Sequence, residues 1–485
     1  MSTSNYVVTS TLPPKFGGRT NALLQRTKLL MNKFGVSFTL ISTNHHQNYD
    51  LIYESYIEKG YVPEETKFLN IYDFFSGRDY RYRKPKKHPH IIKKHEVQEV
   101  KKGQVYRYFK NGDYVRYRKY DKETGVLLFE DHMDIYARKR MERYEYNRFG
   151  YLFRKIIYKR NTLRILEEIF YDDKERAYLI KSYADTPERE LKRIILFHNG
   201  KIREFKEESD FFQHGFNLML PNGASVFCDA RLLDKALLKC KSKVKKNFIL
   251  HSAHSLRGKR RDSFCYLMDH HEKANSIVAL TAEQQADLEA EGLDPEKIVV
   301  IPHAMKEEKY MVKPASERNK EIVFIGRLSA EKQINHIIEA FSLIANTHSE
   351  WSLSIYGEGD QEKTLAELIQ TKELEDRVYL KGFTTEGQAI FENAAFSVMT
   401  SKFEGFGMVI MESLHNGCPV LSYNFKYGPR DLIQDNVNGR IVEKNNIQAL
   451  AEAMDQMISS PLENVRLAAE FYENETSVKW KKLVK

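Results

Sequence analysis

The chain has 485 residues, 42% hydrophobic and 29% charged, with a net charge of +9 and a mean hydropathy of −0.55. That is globular chemistry, which excludes collagen, coiled-coil and disordered classes and leads us to expect two or three domains, each with its own core. No apolar run approaches the roughly 20 residues that span a bilayer, and Met1-Ser2-Thr3-Ser4-Asn5 lacks a basic segment followed by an apolar one, so no secretory signal is expected.

In chain order, Tyr6 to Ser10 is a β-branched run, followed by the loop Leu12-Pro13-Pro14-Lys15-Phe16-Gly17-Gly18 and a helical pattern over Arg19–Phe34. Val36 to Ser42 reads as a second buried strand. After Asp73-Phe74-Phe75 the pattern changes. From Val105 onward short runs alternate with turn signals. Val105 to Phe109 precedes Asn111-Gly112, and Tyr114 to Tyr120 precedes Lys122-Glu123-Thr124-Gly125. Tyr151–Tyr158, Ile165–Tyr171 and Ala177–Tyr183 follow, and Ile194 to Phe197 meets Asn199-Gly200. Strands at this spacing with tight turns describe an antiparallel meander. Because α/β runs resume after Phe205, the meander reads as an insertion in the first domain.

Phe248 to His251, Ser276 to Leu280 and Lys297 to Ile301 are buried-strand runs. The second half alternates cleanly. Strands at Glu321–Ile325, Trp351–Tyr356, Arg377–Leu380, Phe396–Met399 and Pro419–Tyr423 are followed by helices over Ile334–Ala345, Asp360–Ile369, Glu386–Ala394, Phe406–His415 and Ile447–Ile458. Such alternation implies a parallel, doubly wound sheet. The fold class is α/β, two Rossmann-like domains with an antiparallel insertion. The expected boundaries are 1–78 and 206–305 for the first domain, 79–205 for the insertion, 306–470 for the second domain and 471–485 for a terminal helix.

Two segments point to chemistry. Glu404-Gly405-Phe406-Gly407 lies in the loop after a strand, where α/β sheets bind ligands, and leads into a helix whose N-terminus favours anions. Glu412 lies one to two turns into that helix. Two carboxylates flanking such a turn suit a ligand with sugar hydroxyls on both sides of a diphosphate. Gly326-Arg327-Leu328-Ser329-Ala330-Glu331-Lys332 follows the Ile322–Ile325 run, and its Arg327 and Lys332 suit one phosphate pair. Taken singly, each segment also reads as a capping turn or a pair of solvated charges.

Together, Gly326-Arg327…Lys332 and Glu404 with Glu412 eight residues on resemble the donor site of retaining, GT-B-fold, family-4 glycosyltransferases. The resemblance extends through Tyr427-Gly428-Pro429-Arg430-Asp431 and Asn438-Gly439, and reaches Gly17-Gly18 and His251. With its Tyr-rich insertion the chain is similar to a narrower group, the bacterial wall teichoic acid α-glycosyltransferases and related glycosyltransferases of serine-rich surface proteins.

The resemblance implies that Arg327 and Lys332 neutralise the departing diphosphate, that Glu404 holds donor-sugar hydroxyls, and that the Gly405-Phe406-Gly407 turn supports sugar and phosphate. It gives Glu412 the ribose, Gly17 and Gly18 a helix N-terminus at the phosphate, and His251 a place at the sugar near the reacting carbon. Fixed cations where charge develops lower the barrier, so no metal or other cofactor is expected, and no Asp-x-Asp stands where a metal would bridge a diphosphate. The expected donor is a UDP-sugar. The expected acceptor is polyanionic, a teichoic acid or an acidic Ser-rich protein.

Charge supports such a partner. Between Arg78 and Arg160, 25 Lys or Arg stand against 11 Asp or Glu, and 12 of the 28 tyrosines fall there; the rest of the chain is net acidic. Acceptor binding, self-association through sheet edges, single-stranded nucleic acid binding and a merely solvated sheet all suit this composition. The resemblance favours the first two and implies a homo-oligomer, taken as a trimer, with no nucleic acid partner.

Cys228, Cys240, Cys265 and Cys418 lie far apart without CxxC spacing, which argues against a disulfide framework and for a cytoplasmic protein. His251 and His254 are spaced like a metal pair but lack a third ligand. His45-His46 and His270-His271 read as packing or surface residues, and Phe471 to Trp480 as an amphipathic helix, which the resemblance sends back across the first domain with Trp480 as its anchor.

Overall fold

The computed structural model describes residues 5–77, 84–256, 258–307 and 312–484. The expected boundary at 78/79 and the opening residues 1–4 fall outside them. The chain divides into two compact units, Met1–Phe16 with Ser37–Lys245, and Gly17–Val36 with Lys246–Lys485. The boundary expected at 305/306 thus lies inside the second unit.

In the first unit, Asn5–Thr9 runs parallel between Phe38–Ser42 and Ser225–Cys228, and Lys67–Asn70 extends the row beyond Phe38–Ser42. Val7, Val8, Leu40, Ile41, Val226 and Phe227 are buried, the continuous apolar pattern of strands covered on both faces. Three helices in this unit, Tyr49–Glu58, Ile71–Ser76 and Glu208–Met219, bury Tyr56, Tyr72, Phe75, Phe211 and Phe216.

The insertion is a ten-stranded antiparallel sheet in strict sequence order, from Glu96–Lys101 to Lys201–Phe205. Both Asn-Gly pairs turn as expected: Asn111 and Gly112 have φ of 52° and 81°, Asn199 and Gly200 of 51° and 69°. Positive φ at both central residues matches the twist of a hairpin, and Asn and Gly tolerate it best.

Many of the insertion's cations hold the sheet itself. Glu130 takes Arg118 and Arg116, Asp131 takes Arg143 at 2.7 Å and Arg140 at 2.9 Å, Glu142 takes Lys155 at 2.7 Å, and Arg154 bridges Glu145 and Glu168. Burial opposes the charge on Glu130, yet the hydrogen bond to His132 and the two guanidinium groups hold its carboxyl at about 2. Tyr106, Tyr108 and Tyr120 pack with Leu127 in a small buried core. The aromatic surplus is therefore partly interior. His45 packs between Tyr72, Phe153 and Phe170, as a packing residue should.

In the second unit, Lys245–Ile249, Ser276–Ala279 and Ile298–Val300 pair in parallel. The C-terminal half forms a six-stranded parallel sheet in the order Val378–Gly382, Ser352–Tyr356, Asn319–Ile325, Ala394–Met399, Val420–Tyr423, Gly439–Val442. Numbered within the half, that order is 3-2-1-4-5-6. Strand order reverses between Asn319–Ile325 and Ala394–Met399, the place where open α/β sheets bind ligands beyond the strands' carboxyl ends.

The terminal helix is Glu473–Lys481, lying against Gly18–Phe34 of the same unit. Trp480 is buried beneath the Arg26 guanidinium, 5.1 Å from its ring centre, and Lys33 Nζ donates to Asn474 Oδ1 at 2.8 Å. The expectation of an amphipathic helix needs correcting. Its buried face is Thr476, Ser477 and Trp480, one aromatic anchor among small polar residues rather than an apolar stripe. Among the described residues no helix is long and apolar enough to cross a membrane.

Candidate functional site

The two loops singled out in the sequence leave the adjacent strands at the reversal point. After Asn319–Ile325 the chain turns through Gly326 to Lys332. Leu328 is buried, and this turn lies so close to the next loop that a Cβ on Gly357 would sit 1.8 Å from the Gly326 carbonyl oxygen, and one on Gly359 2.1 Å from that of Leu328. After Ala394–Met399, the Thr400 hydroxyl donates to the carbonyl of Lys332 at 2.8 Å and to that of Gln333 at 3.1 Å, tying the loops together.

That tie brings Lys332 Nζ onto the Glu404 carboxylate, where Ser401 Oγ also donates, at 2.8 Å. Both side chains are mostly buried, 13% and 21% exposed. Arg327 goes elsewhere. Its side chain is 78% exposed and meets Glu331 at 3.0 Å. Of the two cations expected together, only Lys332 is held at the crevice.

The Glu404 loop is pinned on both sides. Its amide donates to the Lys426 carbonyl at 2.9 Å, and the Tyr427 amide donates back to the Glu404 carbonyl at 3.1 Å. A Cβ on Gly405 would lie 2.1 Å from the His251 carbonyl oxygen, so only glycine lets the turn pass there. Phe406 is buried, and Gly407, at φ 87°, caps the helix Met408–His415. The His251 ring stacks on His303 with centroids 5.8 Å apart, and His303 meets Phe406 edge-on at 5.1 Å. His251, Gly405, Phe406, Glu404 and Lys332 thus form one connected group.

Glu412 is the fifth residue of the Met408–His415 helix, and burial alone pushes its carboxyl up to about 7. Gly17 and Gly18 open the Gly18–Phe34 helix. No side chain caps it, and a Cβ at either glycine would meet nothing within 4 Å. His254 is a structural residue: Nε2 bonds Glu291 at 3.1 Å, Nδ1 meets the Tyr427 hydroxyl at 3.4 Å, and the ring stacks on Tyr427. His270 and His271 bond backbone carbonyls of Tyr266 and Met268.

Ser401, Thr400, His303 and the Gly357/Gly359 pair join the site only through tertiary contact. Of these, Gly357-Glu358-Gly359 carried a sequence signal, a Gly-x-Gly directly after a strand.

Residues 305–477 match the family "Glycosyl transferases group 1". The chain is similar to a poly(glycerol-phosphate) α-glucosyltransferase of Bacillus subtilis, 26% identical over 93% of this chain and 69% of that one. It is also similar to a poly(ribitol-phosphate) α-N-acetylglucosaminyltransferase of Staphylococcus aureus, 26% identical over 94% of this chain and 92% of that one. A mutant of S. aureus TarM, crystallised with fondaparinux, α-GlcNAc-glycerol and UDP, shares the fold with a TM-score of 0.83 over 99% of both chains, at 23% identity. The chain shares the fold of that glycosyltransferase, its residues 305–477 match the glycosyl transferases group 1 family, and along nearly its whole length it is similar to glycosyltransferases of polyol phosphates.

Proposed function

We propose that the chain moves a hexose or N-acetylhexosamine from a UDP-sugar to a polyol-phosphate polymer of the teichoic acid type, with retention, giving an α-linkage. The observation that carries the reading is the Lys332–Glu404 pair, seated with Ser401 at the carboxyl end of the sheet where strand order reverses. A fixed ammonium there meets the charge that builds on the β-phosphate as the glycosyl–phosphate bond breaks, and a preorganised charge needs no reorganisation at that moment. Glu404 takes donor-sugar hydroxyls, the Gly405–Gly407 backbone lets sugar and phosphate approach closely, Glu412 takes the ribose, and Gly17-Gly18 offers first-turn amides to phosphate. His251 stands at the sugar.

The bond from C1 to the phosphate oxygen breaks, the bond from C1 to the acceptor oxygen forms on the same face, and the acceptor's proton passes to the departing phosphate. Arg327, exposed on its turn, joins the phosphate only by leaving Glu331.

The proposal includes self-association through the insertion sheet, whose two outer strands pair on one side only among the described residues, and action in the cytoplasm, where the free thiols stay reduced. The test is incubation with UDP-glucose or UDP-N-acetylglucosamine against poly(glycerol phosphate), poly(ribitol phosphate) and a Ser-Asp repeat peptide. Mass gained by a polyol phosphate supports the reading; mass gained by the peptide alone, or by none, contradicts it.

A further inference from the structure

Beside Glu404 the second unit holds a second feature, a cleft of about 990 Å³, at the upper end of ligand pocket sizes. Its lining includes Lys402, Lys426, Lys444 and Gln333. The cleft adjoins the reacting end directly. Lys402 and Phe403 are the two residues before Glu404, and the Lys426 carbonyl accepts the Glu404 amide.

The carboxylates at its wall are already engaged. Asp287 pairs with Lys426 at 2.6 Å and accepts the Tyr427 hydroxyl, also at 2.6 Å; Glu291 takes Arg260 at 3.0 Å and His254. Lys444 Nζ donates to the Lys402 carbonyl at 2.6 Å, which holds its ammonium over the Lys402 backbone. Lys402 itself is exposed and makes no ion pair among the described residues. Its charge does reach His336, whose pKa is lowered by burial and, more weakly, by Lys402.

Gln333 adds an independent sign. It is only 8% exposed, sits in the left-handed conformation at φ 49°, and donates Nε2 to Asn445 at 2.9 Å, while its Oε1 is buried with no partner. A buried acceptor without a donor is costly, and Gln333 lines this cleft. A ligand supplying an O–H would satisfy it.

Ammonium groups that act as point charges toward phosphate, beside an oxygen asking for a hydroxyl, call for a chain that alternates phosphate with free hydroxyls. We infer that this cleft binds the stretch of polyol-phosphate polymer next to the unit being glycosylated, with Lys402 and Lys444 on its phosphates and Gln333 on a polyol hydroxyl. The inference rests on the acceptor class proposed above. It adds a subsite that reads chain length.

The test compares transfer to a synthetic glycerol phosphate hexamer and to a single glycerol phosphate diester, in the wild-type protein, Lys402→Gln and Lys402→Gln/Lys444→Gln. The hexamer KM should rise about tenfold in the double variant, less in the single one, and lose most of its salt dependence. The KM for the diester, the KM for the UDP-sugar and hydrolysis of the UDP-sugar should stay put. A hexamer KM within twofold of wild type overturns the subsite while the acceptor class stands, as does an equal loss on hexamer and diester. A wild-type protein that glycosylates neither polyol phosphate but does glycosylate a Ser-Asp repeat peptide overturns both.

Discussion

The insertion sheet and the reversal point of the C-terminal sheet use the same residue types for opposite ends. In the insertion, Arg118, Arg143, Arg154 and Lys155 face carboxylates across neighbouring strands. Such pairs satisfy each other, and what they provide is register and stability. At the reversal point one lysine and one glutamate are held by loops around a crevice, so that pair can exchange partners for a ligand. A dense basic segment therefore marks where the charge is, and not by itself where a ligand binds.

The contrast is sharpest in activity. Glu404→Ala should lower transfer by about 10²–10³-fold, the range for losing one preorganised polar group, while Lys332 loses its partner and the melting temperature falls, though the loop stays tied by Thr400 and Lys426 and the molecule still folds. Steady-state kinetics beside thermal melting checks both halves.

The insertion should answer the other way. Glu130→Ala leaves Arg118 buried without its carboxylate and should cost about 3 kcal/mol, read as a lower melting temperature with kcat per folded molecule unchanged. Because the Glu130 carboxyl is held down at about 2 in the folded chain, its contribution is present above the ordinary carboxyl range and fades as pH falls toward 2. A melting curve of Glu130→Ala parallel to wild type at pH 7 would place the ladder outside the stability of the sheet.

A smaller effect lies at Glu412. Its carboxyl is raised to about 7, so the folded chain holds more protons than the unfolded one between about pH 4.5 and 7, and stability falls as pH rises through that window. On the proposed reading the ribose hydroxyls donate to the ionised form, so nucleotide binding should release a proton and tighten a few-fold from pH 6 to 7.5. The terminal phosphate of UDP titrates nearby, so Glu412→Gln is the comparison: calorimetry should show a flatter pH profile and less proton release.

The same contrast explains what could be read from the chain. The parallel strands were legible because strands buried on both faces are continuous apolar runs, as at Ile322–Phe324. Asn111-Gly112 and Asn199-Gly200 fixed their hairpins locally. Leu127–Met133 and Arg140–Tyr146 were not legible, since their faces carry Glu130, Asp131, Glu142 and Arg143 where apolar alternation would stand. Tyr49–Glu58 and Lys67–Asn70 also escaped, the helix because tyrosines supply its buried face and the strand because lysine and exposed leucine mask it. At the site, Lys332 and Glu404 were legible from type and spacing. Arg327's turn toward Glu331 and the roles of Ser401 and His303 depend on how separate loops meet, which no local pattern encodes.

The most direct measurement is calorimetric titration of UDP into the wild-type protein, Lys332→Ala and Arg327→Ala at pH 7.5. We predict saturable binding by wild type, at least tenfold weaker binding by Lys332→Ala, and a smaller loss for the exposed Arg327→Ala. Failure of the wild-type protein to bind UDP, or equal affinity in Lys332→Ala, would contradict the claim that the Lys332–Glu404 pair forms the donor site.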